Sequence, residues 1–261
     1  MPAAAPTWSV IIPYFNELNF IRGTIESAIA QRGTTFRLIL VDNNSTDGSE
    51  ALCKSILAQA PDVDVVYLRE ERPGHLFALS AGFDAVDTPL VCFWDADTVY
   101  PAHYLAEAER LIGGGAHVVA QAIDVYCQPL SLRGWLRRLR MVATRMLLSR
   151  QGHVGSYGQC FRTEALRAAG GPMSPGWSYV LYDHELMQRI YKQGRGTGSM
   201  KLWCLPSPRR GANTHVRWTL WERILYHATP FGLKDWFFYS FLAPRFETRR
   251  MMQENLRVRD W

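Results

Sequence analysis

Short apolar runs alternate with helical patterns along the first hundred residues. Each run is rich in β-branched residues and ends at a polar or proline-containing loop, which is typical of buried strands. Between the runs, apolar residues recur at helical spacing, as at Leu18, Ile21 and Ile25. Strands that alternate with helices favour a doubly wound α/β fold with a mixed, mostly parallel, Rossmann-like sheet. The strands are predicted at 8–13, 36–41, 63–68 and 90–94, and the helices at 17–31, 49–59, 76–86 and 101–112.

The alternation weakens after residue 100. A strand is predicted at 118–125, a glycine-rich approach to another helix at 155–162, and a helix at 182–193. Between them, residues 131–150 predict a basic amphipathic helix with six arginines and no acidic residue. Its apolar face holds Leu132, Trp135, Leu139, Val142 and Met146.

The net charge of +5 lies entirely in the last part of the chain. Residues 1–208 carry 19 basic and 19 acidic side chains, whereas residues 209–261 carry 10 and 5. The same tail holds 11 of the 32 aromatic residues. Basic and aromatic residues together suit a membrane surface or an anionic partner, and the alternatives are core packing or a homodimer interface. We predict a domain at 1–208, divided at residue 100 into two halves, and a helical, aromatic-rich extension at 209–261.

Targeting and redox signals are weak. The first residues have no basic and apolar signal-peptide pattern, and no run approaches the ~20 apolar residues of a membrane span. The five cysteines are odd in number and widely spaced, with no zinc-ligand pattern, which indicates reduced, buried thiols. These features predict a cytoplasmic protein, peripheral at most on the inner face of a membrane. No nucleic-acid partner is predicted.

Polar clusters follow three of the predicted strands, at 13–17, 42–48 and 95–98. In open α/β sheets, ligands bind beyond the carboxyl ends of the strands. Asp95 and Asp97 stand two residues apart, so an extended backbone would point both carboxylates the same way. Such a pair can hold Mg²⁺ or Mn²⁺ together with phosphate oxygens. Taken alone, the pair also fits a solvated turn after a strand.

Four segments in this order resemble the inverting family 2 glycosyltransferases with the GT-A fold. The resemblance covers about residues 8–200. It implies that the domain at 1–208 is catalytic, with a nucleotide-binding half at 1–100 and an acceptor half at 101–208. The segments are Val10–Glu17, Leu40–Gly48, Phe93–Asp97 and Asp183–Arg189 followed by Gly194.

The resemblance implies a nucleotide-sugar donor bound at the first two loops. Glu17 and Asp42 would contact ribose or base, Pro13 and Tyr14 would shape the pocket, and Asp95 would contact ribose or a metal-bound water. The family often has a second acid where this chain has Asn43, which can donate as well as accept. A UDP-sugar is favoured, and GDP- and dTDP-sugars stay open.

The resemblance also implies Mn²⁺ or Mg²⁺ as the cofactor. Asp97 would bind the metal, and His215 is the best candidate for a further ligand. Asp183 would be the catalytic base, although the family usually has a glutamate where this chain has Tyr182. The sugar and acceptor side would involve Gly155, Ser156, Tyr157 and Glu185.

Two further features modify this picture. Relatives commonly carry an Arg-Asn pair where this chain has Leu79-Ser80, so a donor contact is either missing or supplied by another residue, with Arg69, Arg72 and His75 as the candidates. The processive-synthase signature Gln-x-x-Arg-Trp is absent from the sequence, which favours single sugar addition.

The sequence therefore predicts a metal-dependent transferase that moves a sugar to a hydroxyl of a glycan or lipid-linked acceptor, in cell-envelope or exopolysaccharide synthesis. A sugar nucleotidyltransferase is the enzymatic alternative, but it usually needs a basic, glycine-rich loop after the first strand. A dinucleotide-dependent dehydrogenase would need a Gly-x-Gly-x-x-Gly loop there. A catalytically inactive nucleotide-sugar-binding or membrane-scaffold protein is the non-enzymatic alternative, and it would not need a base such as Asp183.

Overall fold

The computed structural model describes residues 5–125, 131–147, 150, 155–207 and 218–252. The strands within these ranges are β1 (Trp8–Tyr14), β2 (Phe36–Asp42), β3 (Asp64–Arg69), β4 (Leu90–Phe93), β5 (Thr98–Val99), β6 (Val119–Gln121), β7 (Ile123–Asp124), β8 (Gln159–Arg162), β9 (Gly196–Thr197) and β10 (Trp203–Pro206). The α-helices are α1 (Ile21–Ile29), α2 (Ser49–Leu57), α3 (His75–Asp84), α4 (Tyr104–Ile112), α5 (Leu132–Leu147), α6 (Thr163–Ala168), α7 (Tyr182–Gln193), α8 (Leu220–Ala228) and α9 (Ala243–Thr248). Ser156–Gly158 and Phe231–Leu233 form 3₁₀ turns, and Trp236–Leu242 forms a π-helix.

The described strands form a seven-stranded sheet in the order β3-β2-β1-β4-β8-β6-β9 and a small sheet in the order β5-β10-β7. β1 pairs in parallel with β2 and β4, and β2 pairs in parallel with β3. β8 runs antiparallel between β4 and β6. The mixed, mostly parallel sheet predicted from the sequence is therefore confirmed. The carboxyl ends of β1, β2 and β4 and the amino end of β8 meet at one edge.

The later part of the sheet differs from the sequence expectation. The strand predicted at 118–125 divides at Ala122, because β6 joins the large sheet while β7 pairs with β10 in the small one. β8 was not predicted, since glycines precede it and only four residues form it. The two-residue β9 and the four-residue β10 were likewise missed because they are too short to show a period.

Side chains alternate between two cores on the two faces of the large sheet. Ile11 and Val41 belong to a cluster with α3 and α7, whereas Ile12 and Leu40 belong to a cluster with α1 and α4. Four cysteines among the described residues are buried and form no disulfide, as predicted: Cys53, Cys92, Cys160 and Cys204. Cys127 lies outside the described residues.

The aromatic tail divides between core and surface. Phe237, Phe238 and Phe246 are fully buried in the cluster that contains α7, and Trp218 is 9 % exposed there. These residues follow the core-packing alternative of the sequence analysis. The domain boundary predicted at residue 208 falls outside the described residues and stays a prediction.

Hydrogen bonds join the loops that follow β1 and β2. The backbone N–H of Leu18 donates to the Asp47 carboxylate at 2.9 Å, and the N–H of Thr46 donates to the Asn16 side chain at 2.8 Å. Asn16 has a φ of 53°, a left-handed conformation that asparagine tolerates better than most residues. Two loops far apart in sequence therefore form one wall at the edge of the sheet.

Asn43 hydrogen-bonds the loop that follows β3, at residues 70–74, to this wall. Its side-chain amide donates to the carbonyls of Glu70 and Arg72 at 2.6 and 2.8 Å, and its carbonyl accepts from the N–H of Gly74 at 3.0 Å. The side chain is buried. An aspartate could not donate these two bonds, so the amide at this position has a structural reason.

Gly82 sets the distance between α3 and the sheet. A Cβ atom at this position would lie 2.5 Å from Cγ2 of Ile11 and 3.0 Å from Cγ2 of Val41. We expect Gly82→Ala to lower the unfolding free energy by about 1–3 kcal/mol, because α3 must move away from β1. A thermal melt should show a drop of roughly 2–4 °C for each kcal/mol. Gly114→Ala is the matched control, since a Cβ atom added at Gly114 would meet open space within 4 Å. Equal melting temperatures for the two variants would contradict this packing.

Asn43→Asp should destabilise the protein, because the carbonyls of Glu70 and Arg72 would lose their donor and face a carboxylate. The expected loss of unfolding free energy is about 2–3 kcal/mol at pH 7, measured by urea denaturation. Asn44→Asp is the control: it removes one exposed donor bond, to the carbonyl of Glu71, and the aspartate would still accept from Arg69, so the expected loss is smaller. A similar loss in both variants would show that the amide of Asn43 has no special role.

Candidate active site

The Asp95–Asp97 motif is held by stacked aromatic rings. Trp94 is fully buried and stacks on Tyr100, with ring centroids 3.7 Å apart. The Tyr100 hydroxyl accepts from the N–H of Asp95 at 3.3 Å and donates to the carbonyl of Tyr157 at 2.9 Å. A single tyrosine thus ties the acidic motif to the glycine-rich turn before β8.

Asp97 lies at the junction of the two sheets. Its side chain is 9 % exposed, and its backbone carbonyl accepts from the N–H of Ser207 at 2.9 Å. The next residue, Thr98, begins β5 and pairs with β10. His215, the predicted additional metal ligand, lies outside the described residues and stays a prediction.

Asp42 lies at the end of β2 with one oxygen unsatisfied. Its Oδ1 accepts from the N–H of Ser45 at 2.9 Å. Its Oδ2 is buried and has no hydrogen-bond partner among the residues that the structure describes. Buried polar atoms are nearly always paired in proteins, so this oxygen is suited to receive a hydrogen bond from a ligand.

The other residues of the predicted nucleotide pocket differ in their surroundings. Glu17 is half-buried, and its N–H donates to the Ser49 hydroxyl at 2.9 Å. Pro13 and Tyr14 are buried at the end of β1. Burial, and then the neighbouring Cys53 and Asp42, raise the pKa of the Tyr14 hydroxyl. Tyr14 therefore stays neutral and supports the pocket from the core.

His75 connects the acidic motif to α7. Its Nε2 lies 2.9 Å from the hydroxyl of Tyr182 and 4.0 Å from Oδ1 of Asp95. Of the three residues proposed for a donor contact, Arg69 binds Asn44 and Arg72 binds Glu70. His75 is therefore the one that reaches the motif. Sequence reasoning could not reveal its contact with Tyr182, which lies 107 positions away.

Asp183 lies in the first turn of α7, directly after Tyr182. The preceding residue, Leu181, has a φ of 61°, which turns the chain sharply into the helix. Asp183 is half-buried, and its charge contributes, after the larger effect of burial, to the raised pKa of Tyr226. The acidic motif and the predicted base thus lie on elements joined through His75.

Glu185 has surroundings unlike those of an acceptor contact. Its side chain is 1 % exposed and forms an ion pair with Arg189 at 2.8 Å. The hydroxyl of Tyr239 also donates to it. A buried, paired carboxylate stabilises the packing of α7, so we do not include Glu185 in the acceptor site.

The far side of α7 packs on the aromatic tail. The ring of His184 lies 5.0 Å from that of Trp218 and 5.5 Å from that of Tyr226. Burial, and then the positive charges of His227, Lys234 and Arg223, lower the pKa of His184 to about 3. Burial also lowers the pKa of Lys234, whose ammonium group lies over the Tyr226 ring, to about 8. A neutral His184 thus lies at the back of the helix that carries Asp183.

The glycine-rich turn lies at the same edge as Asp95. Ser156 and Tyr157 form a 3₁₀ turn, and a Cβ atom at Gly155 would lie 2.5 Å from the Tyr157 ring. The Tyr157 hydroxyl donates to the Asp124 carboxylate at 3.4 Å. Asp124 also pairs with Arg137 of α5 at 2.8 Å. Sequence analysis did not single out Asp124, because an isolated acid at the end of a short strand carries no motif.

Solved structures with the same fold were found at low sequence identity. The mannosyltransferase PcManGT of Pyrobaculum calidifontis, in complex with GDP-Man and Mn²⁺, has a TM-score of 0.65 at 20 % identity over 80 % of this chain and 59 % of that one. S. aureus TarS 1–349, in complex with UDP-GlcNAc, has a TM-score of 0.62 at 17 % identity over 92 % and 73 %. The likeness confirms the predicted GT-A fold.

Curated relatives match part of the chain. The succinoglycan biosynthesis protein ExoO of Rhizobium meliloti is 33 % identical over 138 residues, which cover 52 % of this chain and 37 % of the relative. The undecaprenyl-phosphate 4-deoxy-4-formamido-L-arabinose transferase of Serratia proteamaculans is 28 % identical over 161 residues, covering 59 % and 47 %. The chain spans less than half the length of either relative.

The family profile described as Glycosyl transferase family 2 matches residues 9–168. This match covers more than half of the chain and includes the first three of the four motifs. The chain therefore belongs to glycosyl transferase family 2.

Proposed function

We propose that the protein is a metal-dependent, inverting glycosyltransferase that moves a sugar from a nucleotide sugar to a hydroxyl of a glycan or lipid-linked acceptor. The observation that carries the proposal is the position of His75, whose Nε2 lies 2.9 Å from the hydroxyl of Tyr182, at the start of the helix that bears Asp183, and 4.0 Å from Oδ1 of Asp95. Donor phosphates and an acceptor hydroxyl could both be reached from such a site.

The buried Oδ2 of Asp42 supports a nucleoside pocket at the loops after β1 and β2. A ribose hydroxyl or a base N–H would supply the missing hydrogen bond. Asn43 uses its amide within the protein, so Asp42 and Glu17 are the side chains we assign to the nucleoside. A UDP-sugar is favoured and GDP- and dTDP-sugars are the alternatives; the two structural neighbours hold UDP-GlcNAc and GDP-Man.

Mn²⁺ or Mg²⁺ fits the donor set around Asp97. The described residues contain no group of three potential His, Cys, Asp or Glu ligands. These cations often bind through one or two carboxylates together with substrate phosphates, which the pair Asp95 and Asp97 can provide. When bound, the cation would neutralise the charge that develops on the departing nucleoside diphosphate.

The transfer itself requires one proton acceptor, and we assign this role to Asp183. Its carboxylate takes the proton from the acceptor hydroxyl while that oxygen bonds to the anomeric carbon of the sugar. The bond between the anomeric carbon and the diphosphate oxygen breaks on the opposite side, which inverts the configuration. The turn of Gly155, Ser156 and Tyr157 would line the sugar and acceptor side.

The names of relatives support cell-envelope or exopolysaccharide synthesis as the setting. They include succinoglycan biosynthesis, teichoic acid synthesis and transfer to undecaprenyl phosphate. A lipid-linked acceptor would bring the active site close to a membrane, whereas a free glycan would not.

Asp183→Asn should lower turnover about 10²- to 10⁴-fold, because the amide cannot accept the proton. UDP-, GDP- and dTDP-sugars with Mn²⁺ would first be screened by thermal shift, and hydrolysis of the best donor would then report turnover without a known acceptor. The affinity for that donor should be unchanged. Asp87→Asn is the control, since Asp87 is an exposed carboxylate near the opposite edge of the sheet. Unchanged hydrolysis in Asp183→Asn would remove Asp183 from the role.

Asp97→Asn should remove the metal-dependent part of nucleotide binding. Calorimetric titration of the nucleoside diphosphate, with and without Mn²⁺, should show at least a tenfold loss of affinity only when Mn²⁺ is present. Asp87→Asn again serves as the control. Equal affinities of Asp97→Asn and the unmodified protein in Mn²⁺ would contradict the metal assignment.

A further inference from the structure

α5 is amphipathic, but its apolar stripe faces outward. Leu132 is 72 % exposed, and Trp135, Leu136 and Leu139 on the same side are 42–49 % exposed. The opposite side rests on the protein: Gly134 is buried, and Arg137 and Arg138 are half-buried. Ordinary surface helices have the reverse arrangement, because burial of apolar side chains is what attaches them to a core.

Polar contacts hold α5 in this orientation. Arg137 pairs with Asp124, and Arg138 donates to the carbonyl of Met200 at 3.2 Å. The Ser131 side chain accepts from the N–H of Gly134 at the helix start. The arginines of the inner face therefore attach α5 to the rest of the protein. The leucines and the tryptophan of the outer face remain exposed.

A second exposed apolar set lies beside the end of α5. The guanidinium of Arg150 lies 4.2 Å over the ring of Phe231, which brings the two segments together. Leu233 and Trp236, which follow Phe231 in the chain, are 57 % and 49 % exposed. Of the fourteen large apolar side chains exposed in the described residues, nine lie in α5 or between residues 220 and 236. Such a concentration on one part of a protein marks an interaction surface.

We propose that the outer face of α5, together with the exposed side chains of residues 220–236, docks on an anionic lipid bilayer. The exposed Arg133 and Arg140 lie along one side of the apolar stripe, which matches how interfacial helices place leucine and tryptophan below the headgroups and arginine among them. None of the described helices is long and apolar enough to cross a membrane, so the contact proposed is with the surface.

Charge favours lipid over a second copy of the chain. Residues 131–150 carry six arginines and no acid, so a symmetric dimer through α5 would bring arginine-bearing helices against each other. An anionic leaflet attracts the exposed arginines of this segment, such as Arg133 and Arg140, with about 1 kcal/mol for each basic residue near the surface.

The docked face would lie next to the acceptor side of the site. Asp124 contacts Arg137 of α5 and the hydroxyl of Tyr157, so the membrane-facing helix is two contacts away from the glycine-rich turn. This position suits an acceptor anchored in the bilayer. Docking itself does not rest on the proposed transfer reaction, and its test measures binding alone.

Flotation of the intact protein with vesicles tests the proposal. Vesicles of phosphatidylcholine mixed with phosphatidylglycerol should carry the protein at low salt, and pure phosphatidylcholine should carry it more weakly. The double variant Trp135→Ser/Leu139→Ser should lose flotation on both. Leu132→Ser/Leu136→Ser, a second pair from the same stripe, should behave alike. Tyr67→Ser, which changes an exposed aromatic residue on β3, is the matched control and should float as the intact protein does. Circular dichroism melts would verify folding.

A separate variant tests how much the arginines contribute to binding. Arg133→Gln/Arg140→Gln should bind anionic vesicles about 30-fold more weakly at low salt, with no change on neutral vesicles. Sedimentation of the protein without vesicles measures whether the outer face of α5 instead binds a second copy of the chain. Three outcomes would overturn the proposal: no flotation of the intact protein, equal flotation of the stripe variants, or a dimer that dissociates in the stripe variants without any vesicle binding.

Discussion

Parallel pairing of β1 with both β2 and β4 is the constraint on which the rest of the site depends. It brings Tyr14, Asp42 and the Asp95 motif to one edge, although 80 residues separate the ends of this set. β8 then enters antiparallel beside β4, so the turn before it arrives at that edge from the other direction. Loops that are far apart in sequence thus meet at one edge of the sheet.

The first half of this arrangement could be predicted from the sequence, because its strands are apolar runs with clear ends. The second half could not, for physical reasons that differ from element to element. β9 and β10 are too short to show a period, and β8 follows glycines that indicate a turn. The acidic motifs were recognisable since their chemistry is local. The His75–Tyr182 and Asn43–Arg72 contacts were not, because they join positions that only the fold brings together.

Amphipathic pattern alone does not decide which face of a helix is buried. The leucines of α5 have the spacing of a core-facing stripe, yet the polar contacts of Arg137 and Arg138 decide the orientation. In the tail, by contrast, aromatic residues whose composition suits a lipid surface are buried, and they pack around His184 and Lys234. Lys234 has its charge buried against aromatic rings, and its lowered pKa reflects the cost of that burial. The tail therefore fixes the back of α7, while α5 and the exposed side chains of 220–236 form the outer surface.

Two departures from the family pattern are explained by one contact. Tyr182 stands where relatives usually have a glutamate, and Leu79-Ser80 stands where they often have Arg-Asn. Nε2 of His75 lies 2.9 Å from the Tyr182 hydroxyl and 4.0 Å from Oδ1 of Asp95, so the start of α7 is held beside the acidic motif without a glutamate at position 182. A glutamate at 182 would add a third carboxylate beside Asp95 and Asp183, and like charges at short range oppose one another's ionisation. A tyrosine anchors α7 to His75 without that repulsion, which leaves the negative charge of the site to the carboxylates with assigned roles.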